Sequence, residues 1–114
     1  MKLQKEDLTV KKKAILEKAS EIICGERERD YGDSNSSLDY IAVAWSAYLS
    51  ACMNSDIEIA GADVANMMIM LKCIRQCHGE GKMDNFIDMA GYAAIGGEAW
   101  SRYAKVHLDE GQSR

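Results

Sequence analysis

A chain of 114 residues, 47% hydrophobic and 28% charged, describes one globular domain able to build a core without metal or disulfide staples. Its formal net charge of −4 argues against extended nucleic acid or anionic membrane as partner, because both want a positive surface, yet leaves room for a small basic pocket holding one phosphorylated ligand. MKLQKEDLTVKKK has no apolar signal-peptide core and no apolar run approaches the roughly 20 residues of a membrane span, so a soluble cytoplasmic protein is expected.

There is no proline, so helix interiors can run uninterrupted. Residues 1–5 are expected to be loose. From about Glu6, the set Leu8, Ile15, Leu16, Ala19, Ile22 and Ile23 follows the 3.6-residue period, and Lys11, Lys12 and Lys13 form a solvated face opposite. This predicts a first helix over 6–28. Tyr31-Gly32-Asp33-Ser34-Asn35 has turn composition, and Ser34 or Asn35 can cap the next helix. The second helix, 36–53, shows the cleanest amphipathic pattern: Leu38, Ile41, Ala42, Trp45, Tyr48, Leu49 and Cys52 on one side. The small residues Ala44, Ala47 and Ala51 lie opposite, where the core or a second subunit could approach closely.

Asn54-Ser55-Asp56 breaks that helix, and Ile57-Glu58-Ile59 is a short apolar link. A third helix is predicted over 61–78, with Asp63 placed for its N-terminal dipole. Val64, Met67, Met68, Ile69, Met70, Leu71, Cys73 and Ile74 point nearly all round it, the pattern of a central helix. His78-Gly79-Glu80-Gly81-Lys82 suits an antiparallel connection to a fourth helix over 84–106. There Phe86, Met89, Ala93 and Trp100 form an apolar stripe, and Ala90, Ala94, Gly97 and Ser101 a small-residue stripe. Gly96 and Gly97 each cost roughly 1 kcal/mol relative to alanine inside a helix, and close helix packing is the expected reason to keep them. The tail 109–114 is expected to fray.

With no strand pattern and no repeat, these elements predict a single all-α four-helix bundle. The extra small-residue stripes exceed what one core of this size needs, so a homo-oligomer is expected. Cys24, Cys52, Cys73 and Cys77 are read as reduced, buried thiols. A zinc site at Cys73, Cys77 and His78 is not expected, since no second cysteine pair with ligand spacing exists.

The chemistry is expected between the third and fourth helices. Lys72 and Arg75 sit side by side on a very apolar helix, where charge is costly unless paired or bound to something. Asp84, Asp88 and Tyr92 share one face of the fourth helix, with Asn85 beside them. Two carboxylates one turn apart can hold a hydrated Mg²⁺; a solvated helix start reads equally well. Arg29, Tyr31 and Asn35 in the first linker could contact a phosphate, sugar or base, although turn chemistry alone accounts for them. No Walker-type glycine loop, GxSxG elbow or HExxH is present.

The segments RERDYGDSNSSLDYIAVAWSAYL, DVANMMIMLKCIRQ and DNFIDMAGYAA resemble a family of small helical phage and prophage proteins, described as a nucleotide-modification-associated domain. The resemblance spans roughly residues 26–97. More distantly, the arrangement is similar to the all-α nucleoside triphosphate pyrophosphohydrolases, the MazG and dimeric dUTPase superfamily. That superfamily holds Mg²⁺ with an ExxE pair on one helix and an ExxD or related pair on another. Asp84 and Asp88 would stand for the second pair. The first has no counterpart, since the second helix offers only Asp39 and the third only Asp63.

The resemblance implies a protein of the phage-infected or lysogenic bacterial cytoplasm. The first expectation is a binder of a phosphorylated nucleotide, linear or cyclic, through Lys72, Arg75, Asp84, Asn85, Asp88 and Tyr92, with Arg29, Tyr31 and Asn35, and with no cofactor required. The alternative is a Mg²⁺-dependent pyrophosphohydrolase with Asp84, Asp88 and Asp63 on the metal. A structural or adaptor bundle is the third.

Overall fold

The computed structural model describes residues 8–25 and 34–109, and all four of its elements are helices: α1 (Lys12–Cys24), α2 (Ser34–Met53), α3 (Gly61–Cys77) and α4 (Met83–Asp109). No strand occurs among the described residues. None of these helices is long and apolar enough to cross a membrane. The expected all-α architecture therefore stands, and three of the four helices begin within two residues of the expected positions. The exception is α1, which opens at Lys12 rather than near residue 6. Short helices persist mainly through burial of one face, and Leu8 and Val10 are both exposed with no core beneath them.

The two long helices α3 and α4 form the antiparallel centre. They come closest at Ala65 and Gly96, where a Cβ added to Gly96 would lie 2.7 Å from the Ala65 Cβ. Seven residues further along α3, Lys72 meets Asp88 on α4; four further still, Gln76 meets Asn85. The register is thus fixed at three points. α1 rests chiefly on α4, with Ile23 against the bare backbone of Gly91.

α2 lies across the first half of α3. Leu38, Ala42, Val64 and Ala65 are the buried core there, with Trp45, Ile59, Met68 and Ile95 packed around them. The link between α2 and α3 is tied down by two serines one turn apart. Ser46 Oγ accepts the Ile59 N–H (2.9 Å) and Ser50 Oγ accepts the Ile57 N–H (2.9 Å). Each hydroxyl also donates to the carbonyl of the same residue, at 3.4 and 3.0 Å. The extended link therefore satisfies its backbone on helix side chains, as a strand would on its neighbour. α3 then opens with Asp63 Oδ2 accepting the Ala60 N–H at 2.8 Å, the N-terminal role its position suggested.

Several packing expectations need correction. α3 is central only over its first two turns, where Gly61, Val64 and Ala65 are buried; Met67, Met70, Leu71 and Ile74 are exposed further on, because α2 does not reach that far. On α2, Ile41, Tyr48 and Cys52 face outward rather than into the core. α4 buries Gly91 and Gly96, with Ile95 half-buried, and leaves Phe86, Ala93 and Trp100 exposed. At 3.6 residues per turn, its packed face lies more than a third of a turn from the expected apolar stripe, on the side where glycine allows close approach. All four cysteines are free thiols, but exposed rather than buried, since each sits on an outward helix face or end.

Gly96 and Gly97 separate on this basis. Beyond Gly97 there is open space, so Gly97→Ala should raise stability by up to about 1 kcal/mol through helix propensity. Gly96→Ala must push two backbones apart, at a cost of about 1–3 kcal/mol, and should lower it. Urea denaturation followed by circular dichroism measures both; equal effects of the two substitutions would contradict the close crossing.

Candidate functional site

The polar residues of the centre collect at the turn end of the α3–α4 pair. Lys72 Nζ lies 2.9 Å from Asp88 Oδ2, with the two side chains 17% and 32% exposed. An ion pair this sheltered is screened less than a surface one. One turn along α3, Gln76 Oε1 accepts the Lys82 N–H at 2.9 Å and an Asn85 Nδ2 hydrogen at 3.0 Å. Gln76 thus does for the start of α4 what a capping side chain does, taking up a backbone donor that precedes the first turn. The Gly81 backbone presses on the same amide, so a Cβ at position 81 would overlap it.

Arg75 is exposed, and no ion pair involves it among the described residues. It shares a wheel side with Val64 and Met68, but stands about 10 Å along the axis from Met68, beyond the cover of α2. Asp84 is exposed in the first turn of α4, where a carboxylate favours the helix dipole. Tyr92 is half-buried one turn beyond Asp88, and the register puts it level with Met68 and Ile69. The site is therefore a sheltered Lys72–Asp88 pair with an exposed guanidinium on one flank and an exposed carboxylate on the other. Chemically, it can accept an anion at Arg75 and, by displacing Asp88, at Lys72.

Other expected site residues fall elsewhere. Asp63 caps the far end of α3, roughly 14 Å along the axis from Lys72, so Asp84, Asp88 and Asp63 do not converge. Among the described residues no three His, Cys, Asp or Glu side chains are grouped as metal ligands would be. Asn35 lies in the first turn of α2, its side chain outside the described residues; Arg29 and Tyr31 lie wholly outside them. Gln76 is the residue that sequence reasoning passed over. The available signal was its four-residue spacing from Lys72, which matches the three-residue spacing of Asn85 and Asp88 across a short antiparallel turn.

Gln76→Ala removes the acceptor of the exposed Lys82 N–H and of the partly buried Asn85 amide, and should cost about 0.5–1.5 kcal/mol. A double-mutant cycle of Lys72→Met and Asp88→Asn, read by urea denaturation, should give a favourable coupling of about 1–2 kcal/mol, above the usual exposed pair. Coupling near zero would mean that the pair is as loose as a surface one.

Comparison with known proteins places these helices in a phage setting. Residues 14–100 match the family described as a domain of unknown function, DUF6378. The Gene 55 protein of Mycobacterium phage L5 is 40% identical over 82 residues, which cover 72% of this chain and 49% of that protein. The Gene 55 protein of Mycobacterium phage D29 is 43% identical over 81 residues, covering 70% and 49%. The chain spans about half the length of these curated relatives. No solved structure matches it. The matched span takes in α2, α3, the turn carrying Gln76 and the α4 residues that answer it. The protein belongs to the DUF6378 family.

Proposed function

We propose that this protein binds a phosphorylated nucleotide, linear or cyclic, at the turn end of α3 and α4, and sequesters it without chemical change. The observation that carries the reading is the sheltered Lys72–Asp88 pair with Arg75 exposed one turn away. Lysine and arginine three residues apart on a helix present adjacent cations, and a guanidinium matches a phosphate with two parallel hydrogen bonds. A phosphate bound to Arg75 competes with Asp88 for Lys72, and the displaced Asp88 carboxylate, about one-third exposed, is released to water.

The MazG-like alternative, a Mg²⁺-dependent pyrophosphohydrolase, takes second place. Asp84 and Asp88 share a face, as half of a two-pair metal site would, but Asp88 is occupied by Lys72 and Asp63 is spent on capping α3. Sequestration needs neither a metal nor a second carboxylate pair.

Incubation of the purified protein with a panel of nucleotides, with and without Mg²⁺, separates the readings. Nucleotides are quantified by chromatography before and after the protein is denatured. Depletion that denaturation reverses is the expected result; conversion to a monophosphate and pyrophosphate would make it an enzyme, and no change would leave a structural bundle. For the nucleotide that binds, calorimetry of Arg75→Ala should show affinity about 10- to 100-fold lower, the loss of a charge-assisted contact. Asp88→Asn should leave sequestration largely intact while abolishing any Mg²⁺-dependent turnover. An Arg75→Ala protein that binds as the parent does would overturn the site.

A further inference from the structure

Over its twenty residues α2 carries a single charged side chain, Asp39. That carboxylate lies at the start of α3, 2.9 Å from the position a Cβ on Gly61 would take. The face that meets α3 and the serine-bound link is formed by Leu38, Ala42, Trp45, Leu49 and the two serines. Everything on the other side is uncharged and open to water: Tyr40, Ile41, Ala44, Ala47, Tyr48 and Ala51. Tyr40 is 78% exposed and Tyr48 69%. A helix without a polar face is normally covered on both sides.

The order of residues on this face says what covers it. Counting outward from Ala44, the fourth residue in each direction is tyrosine, Tyr40 and Tyr48. The third is Ile41 on one side and Ala47 on the other, a large residue matched with a small one. We propose that α2 packs against α2 of a second copy of this chain, antiparallel, about a two-fold axis at Ala44. In that arrangement Tyr40 of each copy stacks with Tyr48 of the other, Ile41 fills the space above Ala47, and Ala44 facing itself lets the axes come within about 8–10 Å.

Charge favours the same occupant. A chain of net charge −4 repels its copy, so a stable self-contact has to form where carboxylates are absent, and this face has none. An anionic lipid surface would instead need lysine or arginine along the helix, and α2 has neither. A helix of this length is about 30 Å long and offers a strip of roughly 300 Å². That is below the ~800 Å² per partner of a standard interface, so the dimer is expected in the micromolar range. The proposal is independent of the nucleotide reading.

Sedimentation equilibrium of the full chain from about 10 to about 200 µM tests it. The parent should approach twice the 12.6 kDa chain mass as concentration rises. Ala44→Glu sets two carboxylates against each other at the axis and should raise the dissociation constant at least about tenfold; Tyr48→Lys should do the same by a different route. Leu16→Glu, on the exposed side of α1, should leave the dimer unchanged. Circular dichroism checks that each variant keeps its helices, and if Ala44→Glu does not, Tyr48→Lys decides the question. A parent that stays monomeric throughout, or folded Ala44→Glu and Tyr48→Lys proteins that dimerise as the parent does, would overturn the proposal. So would a parent that stays monomeric and binds vesicles of neutral lipid through α2, which would assign the face to a membrane.

Discussion

Where α3 and α4 cross, a methyl group meets a hydrogen: Ala65 against Gly96. Any side chain at position 96 would hold the two axes further apart, and the approach constrains the rotation of both helices. Once the crossing is set, the antiparallel register leaves little choice further along. Seven residues down α3 comes Lys72, level with Asp88, and one turn later Gln76, level with Asn85. The same crossing turns Phe86 and Trp100 outward, and beside it Leu38 and Ala42 of α2 close the small core with Val64 and Ala65 of α3. The glycine that weakens α4 as an isolated helix is what gives it a partner.

The pair of helices therefore changes character along its length. At the crossing the contact is small and apolar; at the turn it is polar and hydrogen-bonded. The polar end is costly to desolvate, and the chain meets that cost with reciprocal partners: an ammonium for a carboxylate, and one glutamine oxygen for both a backbone donor and an amide. Lysine at position 82 supplies no oxygen to cap α4, so the acceptor comes from the neighbouring helix. These groups are already engaged. Arg75 and Asp84 are exposed beside them, which places the exchangeable contacts at the rim of the seam. In the proposed binding mode a phosphate takes Lys72 from Asp88, whose carboxylate is exposed enough to be released to water.

Among the described residues, helix number, order and most boundaries were legible in the sequence because they depend on local signals: the 3.6-residue period, the turn compositions after Gly25 and Met53, and Asp63 in the first turn of α3. The convergence of Lys72 and Asp88 followed from a short turn and antiparallel geometry. Burial was much less legible. Periodicity marks which residues share a face, but not how far a neighbouring helix extends over it. Ile74 and Trp100 look like core residues in sequence and are exposed because α2 covers only two turns of α3 and α4 packs on its glycines. Arg75 is the instructive case. It lies on the same side as Val64 yet stands in solvent, because the element that buries Val64 ends before reaching it. Gln76 was missed since its partners are separated from it by a glycine turn whose shape no propensity encodes.

The binding mode proposed above puts the ligand at the turn end of α3 and α4, and not at the α2 end. Amide and arginine side-chain chemical shifts of ¹⁵N-labelled protein, followed as each nucleotide of the panel is added, address it directly. The account expects the Arg75 Nε–H and the amides between 72 and 88 to move together with one saturation curve. Perturbation confined to residues 61–64 and 96–100, or none with millimolar nucleotide, would contradict it.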